Sequence, residues 1–364
     1  MKRKLSLSTF TLALSFAAAT ALAADRSVPA GLPMLLPNSA ATMNAPQMAP
    51  SVPKGVMMMA PKAAKPASID AMIDGLSALK ATRGGKQMEV PLPDSLRMML
   101  KMPRQQGKIT PKPSESKLTQ INKTTDFPYT TMGLLGSGCT GTIVAKRFVI
   151  TAAICIYDAK AKKFYDNLDF YPAINGNTQP YGAVKWKDAY IPKGYAENGD
   201  IQYDFGLVVL DSDIGDQTGW FGFGHVEKFN FKQLTLTGYP YDGVPGQTLW
   251  QTTCNIDSAE ASFVFYRCPG QGKALAAMTG SPVWFKGAAD DAWQIVAIHN
   301  FAQDDKKNSW WALRLSQATT ETLLAWIDEA SKTGTDTGGD QTTDQGGGTD
   351  QGTGDQTECK CDGG

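Results

Sequence analysis

The chain has 364 residues, 42% hydrophobic and 19% charged, with 35 basic and 35 acidic side chains and a formal net charge of zero. That balance excludes a strongly basic polyelectrolyte binder, and no basic, aromatic-interleaved surface for nucleic acid is legible. The length suffices for two or three domains, but the composition is so uneven that a single folded domain is expected.

The chain opens with Met1-Lys2-Arg3-Lys4, an apolar run from Leu5, and Ala21-Leu22-Ala23 ahead of Ala24-Asp25. This is the grammar of a secretory signal, so residues 1–23 are expected to be removed on export and the protein to be secreted or periplasmic. No later segment is apolar enough to span a bilayer, so no stable membrane span is expected after cleavage.

Residues 24–125 form a basic arm. From Asp25 to Thr125 there are 14 Lys or Arg against 6 Asp or Glu, with 13 of the 21 prolines and 11 of the 14 methionines. This composition predicts a mostly disordered pro-segment or linker. Two islands inside it read as helix: Ser68 caps a face of Ile69, Met72, Ile73, Leu76 and Leu79, and Asp94 caps Leu96 to Met102. Short amphipathic helices are marginal alone, so the arm is either a pro-segment docked on the following domain as an intramolecular partner or a tether with transient helices.

From about Asp126 short β-branched and aromatic runs alternate with Gly, Pro, Asn and Asp, as in Thr142 to Val144, Phe148 to Thr151, Leu207 to Leu210 and Leu234 to Gly238. The pattern is all-β. A last amphipathic stretch, Thr320 to Ala330 with Leu323, Leu324 and Ile327, predicts one terminal helix against the sheets. The region 126–330, about 205 residues long, is large enough to bury a full core. Residues 331–364 are Gly, Thr, Gln and Asp in near-repeats, with 7 acidic and 2 basic side chains, and cannot build a core. Their Cys359 and Cys361 point to a local ring, a bond to another chain or a free reactive pair, and two thiols alone make a weak metal site.

Six cysteines in an exported chain argue for disulfides, and the four in the domain allow three pairings. The expected one joins Cys139 to Cys155, whose intervening hairpin-like strands bring the ends together, and Cys254 to Cys268.

Several motifs stand in order along 126–330: Thr151-Ala152-Ala153-Ile154-Cys155, Tyr203-Asp204-Phe205-Gly206, Gly238-Tyr239-Pro240, Gly280-Ser281-Pro282-Val283 and Ala297-Ile298-His299. In them the chain resembles the bacterial trypsin-like serine proteases, in particular the glutamyl endopeptidase branch. The resemblance implies an all-β fold of two antiparallel six-stranded β-barrels with a C-terminal helix, flanked by low-complexity arms, and a site where the barrels meet. Periodicity alone implies only the all-β class.

By this resemblance Asp204 matches the triad acid, which orients an imidazole and stabilises its charged form. With no imidazole to face, its carboxylate is expected to find other donors. Ile154 stands in the base position, and isoleucine cannot accept a proton. Thr279 holds the nucleophile position within Ala277-Met278-Thr279-Gly280-Ser281, where bacterial members carry Gly-Asn-Ser-Gly-Ser, and its methyl group restricts rotation. Ala277 replaces the glycine whose N–H helps build the oxyanion hole. His299 matches the histidine lining the specificity pocket of glutamyl endopeptidases, although Asn300-Phe301-Ala302 lacks the glycines that open that pocket. His225 is read as a surface or turn residue and Ser281 as structural.

Three coincident losses predict an exported pseudoprotease that binds a peptide or protein without hydrolysing it. Two other readings stand beside it. One is an active serine-type endopeptidase using non-standard groups such as His299 with Ser281, and the other a surface-tethered adhesion or scaffold protein relying on the acidic tail. No metal, nucleotide, flavin or haem is expected.

Overall fold

The computed structural model describes residues 68–101 and 116–333, apart from residue 228 and residues 230–231, 242–245, 269–271, 287–292 and 305–308. The expected leader, and the tail with Cys359 and Cys361, lie outside the described residues.

In the arm the chain forms α1 (Ile69–Gly75), β1 (Ala78–Thr82), β2 (Gln87–Val90) and α2 (Asp94–Leu100). Then come β3 (Ser116–Ile121), β4 (Met132–Leu135), β5 (Thr140–Ala145), β6 (Phe148–Thr151), the paired short strands β7 (Tyr157–Asp158) and β8 (Lys163–Phe164), and β9 (Phe170–Pro172). These are followed by β10 (Trp186–Pro192), α3 (Lys193–Asn198), β11 (Gly206–Leu210), α4 (Gly215–Thr218) and β12 (Gly222–Phe223). The last part holds β13 (Gln233–Gly238), β14 (Leu249–Ala259), β15 (Phe263–Arg267), α5 (Gly272–Ala276), β16 (Pro282–Lys286), β17 (Trp293–Asp304), β18 (Ser309–Arg314) and α6 (Gln317–Thr333).

Two large sheets result. The second closes: β17, β16, β13, β14, β15 and β18 pair in turn and β18 pairs back to β17, giving a six-stranded barrel, with β12 and β3 added outside it. The first has eight strands in the order β2-β1-β10-β11-β6-β5-β4-β9, and its ladder does not close. The expectation of two six-stranded barrels therefore holds for one of them. The first sheet differs because the arm adds β1 and β2 to the edge of β10, which increases its strand number.

That addition also departs from the disorder expected of the arm. β1 runs antiparallel to β10 from Ala78 opposite Pro192 to Thr82 opposite Asp188. Ala78, Lys80 and Ala81 are buried. An edge strand offers unpaired N–H and C=O groups, and satisfying them orders a segment whose own composition favours disorder. Ser68 does cap α1, its Oγ accepting from Ala71 N–H at 3.2 Å. The expected face is cut short at Gly75, however, so Leu79 lies in β1, and Ile69 and Met72 stay exposed while Ile73 and Leu76 are buried. Asp94 begins α2 instead of capping it, and the helix ends at Leu100.

The centre of the first sheet fixes the site. β6 and β11 are buried at every position and pair with Gly206 opposite Thr151. This register brings Asp204, two residues before Gly206, alongside Ile154, three residues after Thr151. Gly206 has no room for a side chain, since a Cβ there would lie 2.9 Å from the carbonyl oxygen of Tyr190.

The terminal helix is longer than its sequence pattern suggests and turned differently. Leu323, Trp326 and Ala330 are buried, whereas Leu324 is exposed. Trp326 stacks between Tyr190 and Phe205, with ring centroids 5.8 and 5.5 Å away. Both expected disulfides are present, Cys139–Cys155 and Cys254–Cys268.

Candidate functional site

Asp204 ends a 3-10 turn, Ile201–Tyr203, which Asp200 caps by accepting from Gln202 N–H at 3.0 Å. Its carboxylate is fully buried. Oδ1 accepts the main-chain N–H of Ile154 at 2.9 Å, and Oδ2 accepts from Asn300 Nδ2. Burial raises its pKa to about 6, against the opposing pull of the donors from Ile154, Asn300 and Ala153. The carboxylate is thus held by amides, as an unpartnered buried charge requires.

Ile154 lies in a 3-10 turn, Ala153–Cys155, pinned by the Cys139–Cys155 bridge. The turn delivers the backbone of residue 154 to Asp204, while its half-buried alkyl side chain packs against the core. Backbone geometry and side-chain chemistry are decoupled here.

Thr279 lies in the connection between α5 and β16. Its carbonyl accepts from Thr140 N–H at 3.0 Å, joining the two sheets, and Tyr239 N–H donates to Thr140 Oγ1 at 2.8 Å. Gly280 follows with φ of 84°, where a Cβ would lie 2.3 Å from the carbonyl oxygen of Thr140, so only glycine fits. The hydroxyls of Thr279 and Ser281 are buried and have no hydrogen-bond partner among the described residues. Neither imidazole of the chain is bonded to them.

The segment before Thr279 is wound into α5 and its turn. Ala277 N–H donates to Ala274 O at 3.2 Å and Met278 N–H to Leu275 O at 3.0 Å. The amide of Ala277 is therefore engaged within the segment. Leu275 O also accepts His299 Nε2–H at 2.8 Å, and Tyr266 hydroxyl is bonded to His299 Nδ1. A carbonyl oxygen only accepts, so Nε2 carries the proton and Nδ1 receives the tyrosine hydroxyl. Burial lowers the imidazole pKa to about 4 despite the bond to Leu275, which keeps it neutral near pH 7.

The structure thus places Asp204, Ile154 and Thr279 where residues of the two sheets bond to one another, and ties His299 to Leu275 of α5, two residues before Ala277. Three participants are not expected from sequence: Asn300 as the second donor to Asp204, and Tyr266 and Leu275 as the partners of His299. Among the described residues no group of three or more His, Cys, Asp or Glu is placed to hold a metal ion.

Residues 119–264 match the model of the trypsin family, a span containing Ile154 and Asp204. A glutamyl endopeptidase of Bacillus licheniformis is 32% identical over 170 residues, 46% of this chain and 52% of that protein. A protein of Bacillus subtilis named extracellular metalloprotease is 31% identical over 192 residues, 50% of this chain and 59% of that protein. The chain thus spans between half and three fifths of the length of these curated relatives. A solved structure of a Glu endopeptidase in complex with MPD covers 60% of this chain and 98% of its own, at 22% identity and a TM-score of 0.50. The chain thus has a trypsin-like fold and is similar over residues 119–264 to the trypsin family, with a glutamyl endopeptidase among the proteins it resembles.

Proposed function

We propose that this is an exported trypsin-fold pseudoprotease that binds a peptide or protein without hydrolysing it. The domain, residues 126–330, follows a leader (1–23) and a basic arm (24–125) and precedes an acidic tail (331–364). Asp204 is the remnant of the triad acid, Ile154 occupies the base position, Thr279 the nucleophile position and Ala277 an oxyanion-hole position, and His299 lines the pocket that selects a side chain. Two disulfides and a relative named as extracellular support export.

The observation that carries the reading is the unpartnered hydroxyl of Thr279. An alcohol attacks a carbonyl near neutral pH only when a neighbouring base removes its proton, and losing a triad histidine costs about 10⁶-fold in turnover. Here Asp204 is spent on Ile154 N–H and Asn300, and Thr279 Oγ1 has no acceptor. The bonded amide of Ala277 removes a second contribution, worth about 10²–10³-fold for one donor. The rival reading, His299 acting with Ser281, finds no support: the imidazole is committed to Tyr266 and Leu275.

A fluorophosphonate, which modifies activated hydroxyls, tests this directly. Mass spectrometry after prolonged incubation is expected to find no adduct at Thr279 or Ser281, and a peptide library incubated with the protein to yield retained but uncut peptides. An adduct at either hydroxyl sinks the reading.

A further inference from the structure

Among the described residues the methionines differ in exposure. Met72, Met88 and Met98 of the arm are 43%, 57% and 60% exposed, Met99 is partly buried against the core, and Met132 and Met278 of the domain are fully buried. Met72 differs from its exposed neighbours in what else it does. It helps line a cavity of about 280 Å³ between the arm and the domain, whose wall combines Ile73, Leu76, Leu100 and Leu313 with polar residues such as Gln202 and Arg314. It is both reachable from solvent and next to alkyl groups.

The helix that carries it is weakly held. α1 has seven residues, too few to persist alone. Its ion pairs to α2, Asp70 with Lys101 at 2.6 Å and Asp74 with Arg97 at 2.5 Å, involve carboxylates that are 73% and 65% exposed. Such pairs contribute little. What fixes α1 is the burial of Ile73 and Leu76 and one bond, from Tyr203 hydroxyl to Met72 O at 3.1 Å. The apolar seam around Met72 therefore decides whether α1 stays docked.

We propose that Met72 is a site of reversible oxidation by hydrogen peroxide, and that its sulfoxide releases α1 from the domain. A lone pair on Sδ attacks one peroxide oxygen, the S–O bond forms as the O–O bond breaks, and the departing hydroxide takes the remaining proton and leaves as water. The thioether loses two electrons and the peroxide gains them. The product puts a polar oxygen on a side chain that shares the cavity wall with Ile73, Leu76, Leu100 and Leu313, where it is less well hydrated than with α1 undocked. Met88 and Met98 oxidise with it but do not line the cavity, so their sulfoxides leave the seam intact. This chemistry is independent of whether the domain hydrolyses peptides.

The test treats the full exported chain with hydrogen peroxide and follows it by peptide mapping and by limited trypsin digestion after Arg97 and Lys101. The expected result is a gain of one oxygen at Met72, Met88 and Met98 before Met132 and Met278. Cleavage of the arm should become about 5-fold faster or more, the effect of losing one modest packing contribution. Methionine sulfoxide reductase with a thiol reductant restores the original rate. Met72→Leu, which keeps the volume but cannot be oxidised, abolishes the acceleration, while Met88→Leu and Met98→Leu retain it. Oxidation of Met132 or Met278 as fast as Met72, unchanged cleavage after oxidation, or acceleration that persists in Met72→Leu overturns the proposal.

Discussion

Asp204 and His299 are two buried ionisable side chains whose charged forms both cost free energy, with opposite consequences for pH. Asp204 is held at about 6, above its ordinary 3.8, so its contribution to stability is complete below pH 3.8 and is lost as pH rises through 6. His299 is held at about 4, below its ordinary 6.5, so its contribution is complete above pH 6.5 and is lost as pH falls through 4. The two slopes oppose each other between pH 4 and 6. A tenfold change in proton affinity corresponds to about 1.4 kcal/mol, which makes each contribution worth roughly 3 kcal/mol. Asp204→Asn keeps the shape but does not titrate, leaving the slope of His299 uncompensated. Urea unfolding should show the stability of this variant rising by roughly 3 kcal/mol relative to the unaltered protein between pH 4 and 6. Parallel pH curves for the two proteins contradict the assignment. At this scale the sequence motifs single out Asp204, Ile154, Thr279 and His299 as candidates, because each sits in a recognisable local string. Their partners are illegible because they arrive from afar: Asn300 lies 96 positions from Asp204, and Tyr266 lies 33 from His299.

Local pattern predicts most elements by type and misjudges those whose environment is set by another part of the chain. The buried β-branched runs of β6 and β11 are legible because central strands bury both faces and read as continuous apolar stretches. α6 is legible as a helix, but its pattern points Leu324 and Ile327 inward with Leu323, whereas Trp326 carries the contact with Tyr190 and Phe205. A tryptophan's position on a helical wheel does not reveal that a ring of β10 and another just before β11 stack on it. Trp326→Ala removes that filling from beneath β10 and β11 and should destabilise the domain by about 3–5 kcal/mol, measured by equilibrium denaturation. A loss below about 1 kcal/mol would mean that α6 adheres through other contacts. The arm shows the same limit. Its β1 has no strong strand signature, and it becomes a strand because β10 offers it a hydrogen-bonding edge.

For the molecule as a whole, a trypsin-like fold is retained, and on the proposed reading the chemical parts of its site have been replaced. The register of β6 with β11 still delivers residue 154 to Asp204, the Cys139–Cys155 bridge still pins that turn, and Thr279 still joins the two sheets through Thr140. On that reading, what is missing is proton transfer. A scaffold that keeps its geometry but lacks a base should regain turnover when the base returns. If Ala277 holds the oxyanion-hole position as proposed, the turn that engages its N–H makes the base alone insufficient, because that amide must also be freed.

The most direct measurement compares hydrolysis of a mixed peptide library by the unaltered protein, by Ile154→His with Thr279→Ser, and by the same pair with Ala277→Gly added. The expected result is no product above buffer from the unaltered protein and measurable product from the triple variant, about 10²–10³-fold faster than from the double. Product released by the unaltered protein and abolished by Thr279→Ala contradicts the account.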